Sequence, residues 1–314
     1  MRTTLGINLQ TTLLKSCTFK GVGLHSGEDV TMTVTPSAVD SGILIKRVDV
    51  PLGDNIILAR WDQVKQSPLC TFLVNGSGAS VSTVEHIMAA LAGCGIHNAV
   101  IEVDGPEIPI MDGSAVTFVR AFLDAGLKPQ SKPVRAIKIL KPVRFETDHG
   151  WASLAPSDLP QMSFHIDFDD AAIGVQEKSM NLSNGSFVRE LCDSRTFCRY
   201  SDVEYMRANG MALGGTFENA VVVDGDEVLS PGGLRHSDEA VRHKMLDALG
   251  DIALAGAPII GHYTGYRAGH SMTNSLLRVL FTTPDAFEIV ECDAKLAASL
   301  PGAGVKPEEI LQVA

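Results

Sequence analysis

The sequence predicts an α+β fold built from two similar units. Its 314 residues suffice for about two domains of ordinary size, and a 45% hydrophobic content with no low-complexity tract marks a globular chain. The stretch Gly126–Pro133 carries two prolines, a glycine and polar residues, which suits a linker. Across that break a local pattern repeats. Val84-Glu85-His86-Ile87-Met88 precedes Gly93, and Val241-Arg242-His243-Lys244-Met245 precedes Gly250 in the same register. Each alanine-rich helix then runs into a β-branched strand. The expected domains are residues 1–128 and 134–314, with two equivalent helices facing each other across the boundary, a favoured place for a binding site.

Before the break, Val30–Thr35, Gly42–Arg47 and Ala99–Val103 read as strands. Helices are expected over Thr83–Leu91 and Ser114–Asp124. Ser82 can cap the first of these, with Glu85 completing a capping box. After the break, Ala136–Phe145, Met162–Phe168, Ala220–Val223 and Pro258–Tyr263 read as strands. A long helix covers 238–254, and Ser201 with Glu204 forms a second capping box that predicts a short helix through Ala208.

The formal net charge of −11 excludes a general nucleic-acid binder, whose affinity rests on Lys and Arg against phosphate. It leaves room for an anionic small substrate met by a few local bases. The six cysteines, at 17, 70, 94, 192, 198 and 292, form no CxxC pair and read as reduced thiols. Met1–Lys15 lacks the apolar core of a signal peptide, and no run approaches the ~18 apolar residues of a transmembrane helix. A soluble, cytoplasmic, monomeric protein is the expectation.

The chemistry concentrates on a few residues. In the 238–254 helix, His243, Asp247 and Asp251 are spaced four apart and share one face. Such a triplet is either a solvated polar stripe or a metal grip. His86 starts an apolar helix, where a lone histidine is ordinarily core. Joined to His243 and Asp247 it makes two imidazoles and a carboxylate, the set that leaves hydrolytic zinc a position for water. A bound metal brings the pKa of water from ~15.7 to roughly 7. Glu85, pointing about 100° away from His86, either caps its helix or takes the proton of that water. His270, in the glycine-flanked loop Gly265–Ser271, is a surface histidine or a second proton-transfer group. Asp251 would then orient it and raise its pKa. Lys244 could meet a phosphate or sugar hydroxyl, His25 sits in the glycine-rich Gly21–Gly27, and the Thr196 hydroxyl could donate to an oxyanion. His97-Asn98 and His262 read as structural.

The chain resembles the zinc-dependent UDP-3-O-acyl-N-acetylglucosamine deacetylases of lipid A biosynthesis in Gram-negative bacteria. The motifs are Gly21-Val22-Gly23-Leu24-His25-Ser26-Gly27, Ser82-Thr83-Val84-Glu85-His86, Pro106-Glu107-Ile108-Pro109-Ile110-Met111-Asp112-Gly113-Ser114, Ser194-Arg195-Thr196-Phe197, Val241-Arg242-His243-Lys244-Met245-Leu246-Asp247 and Gly269-His270. They occur in family order and span nearly the whole chain. The resemblance implies two similar α+β domains, each a sheet layered on helices, with the active site between the facing helix layers. It implies Zn2+ on His86, His243 and Asp247, Glu85 as general base, and His270 as the protonated partner tuned by Asp251. Thr196 would steady the tetrahedral intermediate, while Lys244, His25, Phe197 and Arg267 would meet the substrate. A βαβ insert near 196–224 would carry the acyl passage, lined by Val203, Ala212, Gly215, Thr216 and Val222. One departure stands out: where the family continues with glycine and an aromatic after Thr-Phe, this chain has Cys198-Arg199, so a guanidinium would have to replace a ring against the nucleobase. Two rival readings remain, a zinc amidase for another acylated sugar and a non-catalytic binder with structural zinc.

Overall fold

The computed structural model describes residues 8–67, 69–306 and 308. The fold is α+β, and two five-stranded sheets dominate it. The first has the order Cys17–Val22, Asp29–Pro36, Ala99–Val103, Ile43–Arg47, Ile56–Leu58. The second has the order Val143–Thr147, Gly150–Ala155, His262–Tyr266, Gln161–Asp167, Val175–Asn181. In both, the central strand is the last of the five in sequence. In both it lies parallel to one neighbour, and every other pairing is antiparallel.

The helices repeat as well. Helix α1 (Glu85–Gly93) precedes the central strand of the first sheet, and α2 (Val116–Ala125) follows it. In the second half a short α3 (Ser186–Glu190) and α4 (Tyr200–Ala208) come first. Helix α5 (Glu239–Ala253) then precedes the central strand, and α6 (His270–Thr282) follows it. Each half inserts a small three-stranded sheet ahead of its α1 or α5. The first is Val64–Lys65, Phe72–Val74 and Ser80–Val81; the second is Phe197–Arg199, Val221–Asp224 and Glu227–Val228. In the second insert, Phe197–Arg199 and Val221–Asp224 pair in parallel across α4, a βαβ unit.

Helix α1 packs directly on α5, and α6 lies against the strands Val143–Thr147 and Gly150–Ala155. The α1–α5 approach is close because Gly250 has no side chain: a Cβ there would stand 2.0 Å from the Glu85 carbonyl oxygen. One apolar core runs through both halves, from Leu13 and Phe118 to Val241, Leu276 and Ala286.

Several expectations need correction. Gly126–Pro133 is no free linker: Gly126 ends α2 with φ of 77°, and Leu127–Pro133 is a strand paired with Leu9–Leu13. Ala136–Phe145 is two strands, since Pro142 lacks an N–H and interrupts pairing; Arg135–Ile139 joins Phe287–Glu291 and Ile259–Ile260 in a separate sheet. Pro258–Tyr263 likewise changes sheets at Gly261, where a Cβ would stand 2.6 Å from Ile139. Neither capping box forms. Helix α1 starts only at Glu85, because Thr83 is left-handed (φ 59°) and the Ser82 N–H donates to the Pro106 carbonyl. Helix α4 has no side-chain cap, and its Arg199 pairs with Asp202 instead. His270 is not in a loop but is the first residue of α6.

Candidate metal centre

Three side chains from α1 and α5 converge. His86, His243 and Asp247 are all buried, and their donor atoms lie within 4.8 Å of one another. His243 Nε2 is 3.3 Å and His86 Nε2 3.5 Å from Asp247 Oδ1. The two rings stand edge to face, 88° apart. Tetrahedral zinc with ligand bonds of about 2.0–2.2 Å needs donors separated by roughly 3.4 Å, so the spacing suits a metal. The protonation state suits one too. His243 Nδ1 donates to the Ser194 carbonyl at 3.0 Å, which turns the Nε2 lone pair toward Asp247. Burial brings His243 down to about 4, leaving the ring neutral near pH 7. Asp247 Oδ1 is buried without a hydrogen-bond partner, an expensive state for an isolated carboxylate oxygen. Burial pushes Asp247 upward, yet His243, Lys244 and His270 more than offset this and hold it well below the usual carboxylate range.

Ser194 is fixed by its neighbour. The Arg195 side chain and backbone N–H both donate to the buried Glu239 at the start of α5. Burial raises Glu239, and the bonds from Arg195 outweigh it, bringing the carboxyl below its ordinary value. The outer support of His243 is thus tied to the helix that carries His243.

Beside the three donors stands a second buried carboxylate. Glu85 is buried, and its carboxylate accepts the Thr71 N–H at 3.0 Å through Oε2. That is where the capping reading fails, since this oxygen serves the residue just ahead of the strand Phe72–Val74 and not its own helix. Burial raises the Glu85 pKa. Its other oxygen, Oε1, lies 3.7 Å from His270 Nε2. His270 Nδ1 meets Asp251 Oδ2 at 2.9 Å, and the Thr71 hydroxyl donates to Asp251 Oδ1 at 2.5 Å. Burial alone would lower His270. The negative Asp251, Glu85 and Asp247 outweigh it, and the imidazole is pushed up to about 9. It is charged at neutral pH despite sitting at a helix N-terminus, where a cation is disfavoured.

The remaining candidates differ in what they touch. Lys244 reaches Asp247 Oδ2 at 3.1 Å, so it braces a donor of the cluster. Phe197 packs edge-on against His243 and Phe168, and Thr196 is anchored by its N–H to the Gly113 carbonyl. His25 stands close enough to His270 to feel its charge; burial lowers it, and neither ring nitrogen has a hydrogen-bond partner. Its loop is held by Glu107, a buried carboxylate that accepts from the N–H groups of His25 and Ser26 and from the Thr83 hydroxyl. Arg267 is exposed and left-handed (φ 49°). In the insert, Ala212 and Val222 are buried, Val203 and Gly215 half-buried, and Thr216 exposed. The loop after α4 docks on the glycine-rich loop, with Leu213 and Gly214 N–H groups donating to the His25 and Leu24 carbonyls. Arg199 is held by Asp202, so its guanidinium is already engaged.

Thr71 and Glu107 carry no local signature of these contacts. Glu107 lies within a recognisable motif, but its partners sit in two other segments. Thr71 lies in Leu69-Cys70-Thr71-Phe72, where nothing marks it out.

Two imidazoles and a carboxylate make a donor set that a hydrolytic metal ion can use, with a buried acid and a charged histidine beside it. Comparison with known sequences narrows this. Residues 10–282 match the family described as LpxC, UDP-3-O-acyl N-acetylglycosamine deacetylase. The UDP-3-O-acyl-N-acetylglucosamine deacetylase of Shewanella frigidimarina is 46% identical over 300 residues, covering 94% of this chain and 98% of its own length. That of Shewanella oneidensis is 47% identical over 299 residues, covering 93% and 97%. That of Shewanella baltica strain OS155 is 46% identical over 302 residues, covering 94% and 98%. The chain belongs to this deacetylase family.

Proposed function

We propose that the protein is a zinc-dependent amidase that removes the 2-acetyl group of UDP-3-O-acyl-N-acetylglucosamine, giving acetate and UDP-3-O-acyl-glucosamine on the route to lipid A. The observation that carries this reading is the convergence of His86, His243 and Asp247 beside Glu85 and the His270–Asp251 pair. His86, His243 and Asp247 would hold the ion. When bound, the ion acts as a Lewis acid and makes water acidic enough to attack at neutral pH.

The chain's own groups account for the proton traffic. Glu85, with Oε2 held by Thr71, takes a proton from the attacking water through Oε1. Oxygen adds to the amide carbon, and the Thr196 hydroxyl donates to the oxyanion. His270 enters protonated and gives the Nε2 proton to the leaving nitrogen as the C–N bond breaks. Asp251 keeps Nδ1–H in place throughout. Lys244, His25, Phe197 and Arg267 meet the sugar nucleotide, and Val203, Ala212, Gly215, Thr216 and Val222 border the acyl chain. Val203, Gly215 and Thr216 lie toward the surface of the insert, which leaves that border open to solvent.

The repeated strand order supports two domains, 1–128 and 134–314, that meet at α1 and α5. No helix among the described residues is long and apolar enough to cross a membrane. The proposal extends to a monomeric, cytoplasmic enzyme.

The test is acetate release from the UDP-sugar, measured with metal content. Release that follows zinc loading and stops on chelation is the expected result. Bound zinc without release would favour the binding-protein reading. Faster release from a sugar bearing a different 3-O-acyl group would favour the rival amidase.

A further inference from the structure

Glu85 and Asp251 are both buried, and each has one oxygen turned toward His270. In each the opposite oxygen is held by a single residue, Thr71. Its backbone N–H donates to Glu85 Oε2 at 3.0 Å and its hydroxyl to Asp251 Oδ1 at 2.5 Å. The four residues therefore close a ring, Thr71–Glu85–His270–Asp251, with Thr71 and His270 on opposite sides. We propose that Thr71 is a positioning residue that fixes the base and the acid of the reaction relative to one another, its N–H orienting Glu85 and its hydroxyl orienting Asp251.

The geometry explains why one residue can do both. A carboxylate tethered by its own side chain and held at one oxygen has less freedom to turn, which favours one direction for its other oxygen. For Asp251 that direction fixes the plane of the His270 ring. For Glu85 it leaves Oε1 as the oxygen available to substrate water. Thr71 is itself held. It precedes the strand Phe72–Val74, which pairs on both sides within the inserted sheet, and it is 3% exposed. The preceding segment is pinned to α6, where the Ser271 hydroxyl donates to the Ser67 carbonyl at 3.0 Å. Thr71 also spans the two halves, since Glu85 starts α1 and Asp251 lies in α5. A valine at this position keeps the shape and the N–H but removes the hydroxyl, leaving Asp251 Oδ1 without a donor in a buried site.

This role rests on the deacetylase reading, so its test has one readout that does not need turnover. In the metal-loaded full-length protein, Thr71→Val should lower kcat by about ten- to a hundred-fold, the scale of a small misplacement of catalytic groups. KM and metal content should stay near wild type, and Thr71→Ser should restore kcat. In parallel, the downfield proton resonance of His270 Nδ1–H should be present in wild type and Thr71→Ser. It should be shifted or lost in Thr71→Val. Should the valine variant fail to fold, Thr71→Ala against Thr71→Ser carries the same comparison. Wild-type kcat in the valine variant, a serine variant as impaired as the valine one, or an unmoved Nδ1–H resonance would overturn the proposal. A wild-type protein that releases no acetate would sink the deacetylase reading instead, and the resonance would still decide the positioning role.

Discussion

The two halves of the molecule share a strand order and a helix order, but they are endowed differently at the site between them. Helix α1 offers His86 and, four residues on, Ala90; Cys94, eight residues on, caps its C-terminus, and both are fully buried. Helix α5 offers His243 and, at the same offsets, Asp247 and Asp251. One histidine from each helix thus occupies equivalent positions in the donor cluster. The second half alone supplies the carboxylate of the donor cluster, Asp247, the carboxylate against His270, Asp251, and, from α6, His270 itself. The first half supplies the proposed base, Glu85, and, just ahead of the strand Phe72–Val74, Thr71, whose N–H meets it. The repeated scaffold presents a near-symmetric pair of histidines, and the asymmetry lies in the residues that follow them along each helix. Gly250, without a side chain against the Glu85 backbone, lets the helices come together.

The largest effect should come from the shared ligands. His86→Ala and His243→Ala should each remove the metal and with it turnover, although they lie in different halves; elemental analysis of the purified variants checks this. If His86→Ala kept a full equivalent of tightly bound metal, the two halves would not share the site. Next is Glu85→Gln, which should retain metal while kcat falls about 10²–10⁴-fold, the usual worth of a general base. A variant with unchanged kcat would assign the base elsewhere.

The equivalent glycines sharpen the comparison further. An added Cβ at Gly250 meets the Glu85 backbone at 2.0 Å, and one at Gly93 meets the Phe187 ring at 2.0 Å. Both Gly→Ala changes should cost about 1–3 kcal/mol by overpacking, read as a lower Tm. Only Gly250→Ala should also weaken metal binding, because it alone moves α1 relative to α5. Equal metal affinity in the two variants would contradict that division.

The smallest effect is a displacement on the pH axis. With His270 raised to about 9, its proton is held at neutral pH and lost as pH rises through that region. Activity that needs the proton therefore falls on the basic side. Asp251→Asn removes a negative charge that raises the pKa, so the basic limb should move toward acid by about one to three pH units. A limb that stays in place would show that Asp251 does not set it.

Much of this site is visible in the sequence because its groups recur at helical spacing. His243, Asp247 and Asp251 announce a face, and the echo around His86 gives the partner helix. What stays hidden depends on contacts between distant segments. Thr71 reaches a residue 180 positions away through its hydroxyl, and no local pattern encodes that. The first capping box misleads for the same reason: Ser82 is recruited by Pro106 and Glu85 by Thr71, so tertiary partners override the local motif. The prolines at 129 and 133 mark a linker by composition, yet in a two-stranded sheet a proline leaves no second ladder unsatisfied.

The central claim is that two imidazoles and one carboxylate from separate halves hold a single ion. X-ray absorption at the zinc edge of the loaded protein tests it most directly. The account predicts two nitrogen scatterers from imidazole and oxygen scatterers at about 2.0–2.2 Å, with no sulfur. A sulfur shell near 2.3 Å, or a first shell with fewer than two imidazoles, would contradict it.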